Sequence, residues 1–144
     1  MSESRPFDSG ELLRAAGDAI IAAGADGSIV FSNPAAERLF GYSEGEALGR
    51  SLDLIIPERL RQRHWDGYRQ VMKTGVTRYG TDVLRVPAVH KDGRPLSIAF
   101  TVALLSTPDK QGRVIAAIIR DETTRWQEER ALRQRLADLE AARR

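Results

Sequence analysis

Between Leu96 and Leu104 the chain alternates without a break: Leu96, Ile98, Phe100, Val102 and Leu104 are interleaved with Ser97, Ala99, Thr101 and Ala103. A period of two demands an extended strand with one buried face, because successive side chains leave a strand on opposite sides. Such a strand needs paired neighbours, and the flanking sequence offers them. Val83 to His90 reads as a strand, and Asp92-Gly93 turns the chain after it. Pro87 confines that strand to an edge or a bulge, since proline has no N–H to give a ladder. Asp109 to Gly112 marks the next turn, and Val114 to Ile119 is a nearly continuous apolar strand. Upstream, AIIAAGADGSIVFSN holds two short apolar runs around Asp26-Gly27, a strong hairpin signal. Two strands, a middle third of another character and three antiparallel strands predict an α+β domain with one curved sheet.

The middle third has helical spacing and frequent punctuation. Asn33 is placed to cap a helix with Pro34 at its first position, and PAAERLF turns Ala35, Leu39 and Phe40 inward before Gly41. Ser43 to Glu46 reads as a capping box, and Leu52 to Ile56 as a short apolar turn. A central helix is then predicted from Glu58, with Pro57 before it and Gly75 as its stop. At about 100° per residue, Leu60, His64, Tyr68 and Val71 share one narrow arc, flanked by Trp65 and Met72. Arg59, Arg61, Gln62, Arg63, Asp66, Arg69 and Lys73 take the rest of the circumference. His64, one of two histidines, therefore sits on the buried stripe of a helix whose other face is basic.

The 144 residues suffice for one domain with modest appendages. The expected division is a tail and short helix over 1–17, a folded domain over 18–121, and an amphipathic helix over 122–144. That last stretch has no Gly or Pro, and its Leu132, Leu136 and Leu139 form a seam suited to a coiled coil; the bland alternative is a solvated helix lying on its own domain. No cysteine is present, which removes disulfides, thiolate metal sites and cysteine nucleophiles. No signal peptide or apolar membrane span is legible, so a cytoplasmic location is expected. A net charge of +2 with interspersed signs argues against nucleic acid as a partner. Nor does an enzyme fit: no Ser–His–acid order, phosphate loop or metal-ligand cluster appears. Asp82, Asp92 and Asp121 lie at turns or strand ends, where acids serve solubility and turn chemistry. His90, beside Lys91-Asp92-Gly93, reads as an exposed hairpin residue.

Taken in order, DAIIAAGADGSIVFSNPAAERLFGYSEGEALGRSL, LIIPERLR, HKDGRPLSIAF and IAAIIRDETTRW resemble a PAS domain from about Asp18 to Arg125. The resemblance implies a five-stranded antiparallel sheet flanked by short helices, with a ligand pocket between sheet and central helix. It also implies output through terminal helices, a homodimer made through them, and a downstream signalling domain in the parent protein. Photosensory members that form a flavin–cysteine adduct or a thioester-linked chromophore need a cysteine, so both are excluded here.

The central helix is similar to that of haem-binding, oxygen-sensing PAS domains. Their iron is held by a histidine after a segment like PERLRQR and before a tyrosine and a Thr-Gly turn; His64 matches that position. The resemblance makes His64 the axial ligand of a haem iron, and burial favours the neutral imidazole that this role needs. Two departures stand out. Trp65-Asp66-Gly67 separates His64 from Tyr68 by one residue more than in those members. Their distal arginine or methionine on the third strand corresponds to Leu84 or Asp82, with Arg85 one step away, and neither a leucine nor a carboxylate donates a hydrogen bond. Alternatively, Trp65, Tyr68, Met72, Phe100 and Ile118 enclose another small organic molecule, or the domain is a ligand-free element for dimerisation and signal relay.

Overall fold

Asp26 and Gly27 set the first reversal of the chain. The Asp26 carboxylate accepts from the Ser28 amide at 2.9 Å, and Gly27 takes φ 81°, a left-handed conformation that glycine adopts without steric cost. This joins β1 (Ala19–Ala23) to β2 (Ile29–Ser32) as an antiparallel pair. The structure, a computed structural model, describes residues 6–77 and 82–143. The sequence pattern changes to a period of two from Tyr79 onward, and that point lies outside them.

Three further strands, β3 (Leu84–Val89), β4 (Pro95–Ser106) and β5 (Arg113–Asp121), complete one sheet in the order β2-β1-β5-β4-β3. The described pairs are antiparallel, so the five-stranded α+β architecture matches the expectation. Pro87 sits on the edge strand opposite Ser97, where a missing N–H costs least. Register decides which side chains share a face. Leu84, Phe100 and Ile119 are directly paired across three strands, and Ala19 joins them through Ile119. That face turns toward the helices: Ala19, Ile21, Ala88, Leu96, Ile98 and Ile119 belong to the continuous core, with Phe100 and Ala117 packed against it.

Helices α1 (Ser9–Ala15), α2 (Pro34–Phe40) and α3 (Glu44–Ala47) follow the predicted punctuation. Ser43 and Glu46 complete a reciprocal capping box. Asn33 caps α2 and does more, because its side chain also reaches β1 and α1. Its Oδ1 accepts from the Ala36 and Ile20 amides, and its Nδ2 donates to the Leu13 and Asp18 carbonyls. Phe40 fills the centre of the core beside Ala35, Ala36 and Ala47.

The predicted central helix begins one turn later than Glu58. Glu58–Leu60 is a 3-10 turn, and the α-helix proper, α4, runs Arg61–Thr74 to a left-handed Gly75. A second 3-10 turn, Leu52–Ile55, precedes it. The last helix, α5 (Thr123–Ala142), has no buried residue, and Leu132, Leu136 and Leu139 are 64%, 59% and 59% exposed. Its leucine seam is thus open to solvent and does not pack on the sheet. Among the described helices, none is long and apolar enough to cross a membrane.

Candidate functional site

The arc read from the sequence survives in α4: Tyr68 is buried, and His64, Trp65, Val71 and Met72 are half-buried. None of the α4 side chains belongs to the continuous core among the described residues. Instead the helix is tied to the rim of the sheet. Tyr68 Oη donates to the Gly24 carbonyl at 2.5 Å, at the turn after β1. Trp65 Nε1 donates to the Asp53 carboxylate at 2.7 Å, and its ring lies where any Cβ on Gly27 would have to be. At the other end, Arg113 of β5 donates to the Met72 carbonyl at 2.6 Å, answering one of the last, unpaired carbonyls of the helix.

Held by its rim contacts, α4 leaves the helix-facing side of β3–β5 partly open. Leu84, Phe100, Val102, Leu104 and Ile115 are all only half-buried there. This is an apolar wall incompletely covered by its own helix. Two other cavities lie elsewhere. An open cleft of 350 Å³ runs between α2 and the junction of β1 with the end of β5, lined by Asp18, Arg38, Leu39 and Arg120 among others. A 10 Å³ void sits under Tyr42 and Ile55 in the core, room for about one water.

His64 is the chemical anomaly of the molecule. Its Nδ1 is buried without a hydrogen-bond partner, the one such side-chain atom among the described residues. Buried polar atoms are almost always satisfied, so an orphan asks for an explanation. Burial holds the His64 pKa below its ordinary value, opposed by the negative charge of Asp53, so the neutral ring is favoured. Trp65 meets the imidazole edge-to-face at 4.7 Å and Tyr68 lies tilted at 5.6 Å. Burial pushes the Tyr68 hydroxyl up to about 12, so it stays a proton donor to Gly24. No set of three or more His, Asp or Glu side chains that could hold a bare metal ion occurs among the described residues. A neutral imidazole does fit a group that brings its own equatorial ligands, as haem does.

The candidate residues separate on inspection. His64, Trp65 and Tyr68 form one ring cluster, Met72 lies on the same half-buried side of α4, and Leu84 and Phe100 share the wall. Ile118 does not belong with them. It pairs with Thr101 and points to the other face of the sheet, 45% exposed, whereas its neighbour Ile119 is 3% exposed and faces the helices. Arg85 also faces away, and its guanidinium donates to Glu122 at 3.2 Å. Asp82 is exposed and precedes β3. His90 is not the exposed hairpin residue expected: its side chain is 15% exposed and covers Gly41, where a Cβ would come within 2.5 Å of the ring. Asp53 and Gly27 were not legible as site residues, since one reads as a residue of an apolar turn and the other as a hairpin glycine.

The family model described as the PAS fold matches residues 10–121. The chain is 30% identical over 107 residues to the oxygen sensor protein DosP of Escherichia coli (strain K12), covering 74% of this chain and 13% of that protein. It is 44% identical over 57 residues to the sensor protein FixL of Bradyrhizobium diazoefficiens, covering 40% of this chain and 11% of that one. The chain thus spans a small part of either relative. Among solved structures, the PAS domain of a Colwellia psychrerythraea protein superposes with a TM-score of 0.68 at 21% identity, covering 80% of this chain and 94% of that one.

Proposed function

The chain belongs to the PAS family, and we propose that it is a haem-binding sensory domain with His64 as the axial ligand of the iron. The observation that carries this reading is the half-buried His64 ring, whose Nδ1 is buried without a partner, on a helix tied to the rim of a sheet with a half-buried apolar face. The likeness to an oxygen sensor protein over most of the chain supports it. Bound haem would supply an iron with an exchangeable position for a diatomic gas or a change of oxidation state. The chain's own residues supply a neutral nitrogen at His64 and an apolar wall at Leu84 and Phe100. Arg85 is turned away toward Glu122, so among the described residues the wall carries no hydrogen-bond donor to a bound gas. It selects for small, apolar ligands.

Output follows the sheet. β5 passes from the wall at Ile119 to Asp121, whose carboxylate accepts from the Thr123 amide at 2.8 Å at the root of α5. Ser97 of β4 holds Thr123 and Glu122, and Arg85 of β3 holds Glu122, so three strands converge on the first residues of that helix. The domain acts in the cytoplasm as a homodimer through its terminal helices and drives an output domain of the parent protein. The exposed Leu132, Leu136 and Leu139, with Phe7, Leu12 and Leu13 at the other end of the chain, are the contacts for that pairing.

The test is a haem titration of the haem-free protein followed by absorption. One equivalent should produce a sharp Soret band, lost in His64→Ala while circular dichroism stays unchanged. A second reading, a ligand-free relay domain, draws on the packing of Trp65 and Tyr68 around His64. A wild-type protein that takes up no haem would favour it.

A further inference from the structure

A histidine that ligates a metal normally has its ring oriented by a hydrogen bond from its other nitrogen to a carboxylate or carbonyl. His64 has no such bond, since Nδ1 is buried with no acceptor in reach. The torsion that turns an imidazole is a broad sp³–sp² one, so without a polar partner only packing can fix it. The packing here is specific. Trp65 stands at 77° to the His64 ring with centroids 4.7 Å apart, and Tyr68 closes a second side at 5.6 Å. Both clamping rings are themselves pinned at their polar ends. Tyr68 Oη donates to the Gly24 carbonyl, and Trp65 Nε1 donates to Asp53 Oδ1 at 2.7 Å.

The Asp53 anchor is held in turn. Its amide donates to Ser51 Oγ at 3.1 Å, and Arg61 donates to its backbone carbonyl at 3.2 Å while lying 3.9 Å from its carboxylate. On its far side the Trp65 indole rests on Gly27, whose φ of 81° and missing Cβ together make the slot. The two rings beside His64 are thus each fixed by a contact outside α4, Trp65 to Asp53 and Tyr68 to Gly24. We propose that Asp53 and Trp65 are positioning residues for His64, an aromatic clamp that replaces the missing hydrogen bond to the ligating imidazole. This inference rests on His64 being the haem ligand, but the clamp acts on the ring whether or not haem is bound.

The experiment compares Asp53→Ala, Asp53→Asn and Trp65→Phe with the wild type. Asparagine keeps an oxygen that can accept from the indole, alanine removes it, and phenylalanine keeps a ring but loses the N–H. In the haem-free protein, ring carbon–proton spectra should show one sharp set for His64 in the wild type and in Asp53→Asn. Asp53→Ala and Trp65→Phe should broaden or split it. With haem, the same two variants should lose about tenfold to a hundredfold in affinity, the range for supports of a metal ligand, and shift the iron–histidine stretching band. Asp53→Asn should restore both. Unchanged ring signals and wild-type affinity in Asp53→Ala would overturn the clamp, as would an Asp53→Asn variant no better than alanine. Should Asp53→Ala fail to fold by circular dichroism, Trp65→Phe decides alone. If the wild type takes up no haem, the haem reading fails while the ring spectra still decide the clamp.

Discussion

Removing the Asn33 side chain tests how the N-terminal segment, the sheet and α2 are joined. Asn33 is 2% exposed, and its amide group makes four hydrogen bonds to the backbone of three elements and the link between them. Asn33→Ala removes a helix cap, about 1 kcal/mol. It strands the buried Ile20 amide, a further 1–3 kcal/mol or so, and leaves a small void. The Leu13 and Asp18 carbonyls lie in exposed or half-buried positions, where water replaces the lost amide at little cost. The sum is about 3–5 kcal/mol, a large share of the roughly 5–15 kcal/mol that a domain has.

Asn33→Asp separates the cap from the junction. It keeps Oδ1 for Ile20 and Ala36 but turns a second oxygen toward the Leu13 and Asp18 carbonyls. Burial and those carbonyls raise the folded-state pKa of the new carboxyl above its unfolded value of about 3.9. The folded state then binds more protons, so stability falls as pH rises through that value, and the deficit at pH 7 shrinks in acid. Urea unfolding of the three proteins between pH 4 and 7 measures both effects. A cost below about 1 kcal/mol for Asn33→Ala, or Asn33→Asp equal to wild type at pH 7, would refute the reasoning.

Phe40→Ala, at the centre of the core, should cost about 3–5 kcal/mol, and Phe100→Ala, half-buried on the open wall, about 2–3 kcal/mol, by urea unfolding; an inverted order would show the wall to be closed. Glu46 is held at a pKa of about 2, first by its hydrogen bond from Lys91 and then by the Ser43 amide. Its depressed value means a contribution present above the ordinary 4.5 and lost as pH falls from there toward 2, so Glu46→Gln should flatten that part of the acid limb of stability; an unaltered limb would contradict the pairing. Leu136→Glu should convert a dimer to monomer in sedimentation at tens of micromolar protein, and identical behaviour of both proteins would remove α5 from the interface.

Much of the architecture was written in local pattern. The alternation from Leu96 to Leu104 implied a half-buried strand, and the Asn33, Ser43 and Gly41 signals placed the short helices, because each is a contest settled within a few residues. What escaped depends on register or on long-range contact. Val114 to Ile119 is apolar throughout, so nothing in it says which side faces the helices; only pairing of Phe100 with Ile119 assigns Ile118 to the outer face. His90 beside an Asp-Gly turn looks exposed until Gly41, remote in sequence, leaves it a slot. Asn33 was legible as a cap, but its bonds to Leu13 and Asp18 require the N-terminal helix to be in place. At the candidate site, helical spacing brought His64, Trp65 and Tyr68 together, while Asp53 and Gly27 come from other elements and carry no local mark of their role.

The central claim is that the imidazole of residue 64 is what binds haem, and chemical rescue tests it most directly. His64→Gly leaves a hole at the position of the ring without disturbing Trp65, Tyr68 or Asp53 in sequence. The variant mixed with haem should show no protein-bound Soret band, and added free imidazole should restore one with the wild-type position and one haem per chain. A Soret band at full strength in the variant without imidazole, or none in the wild type, would contradict the account.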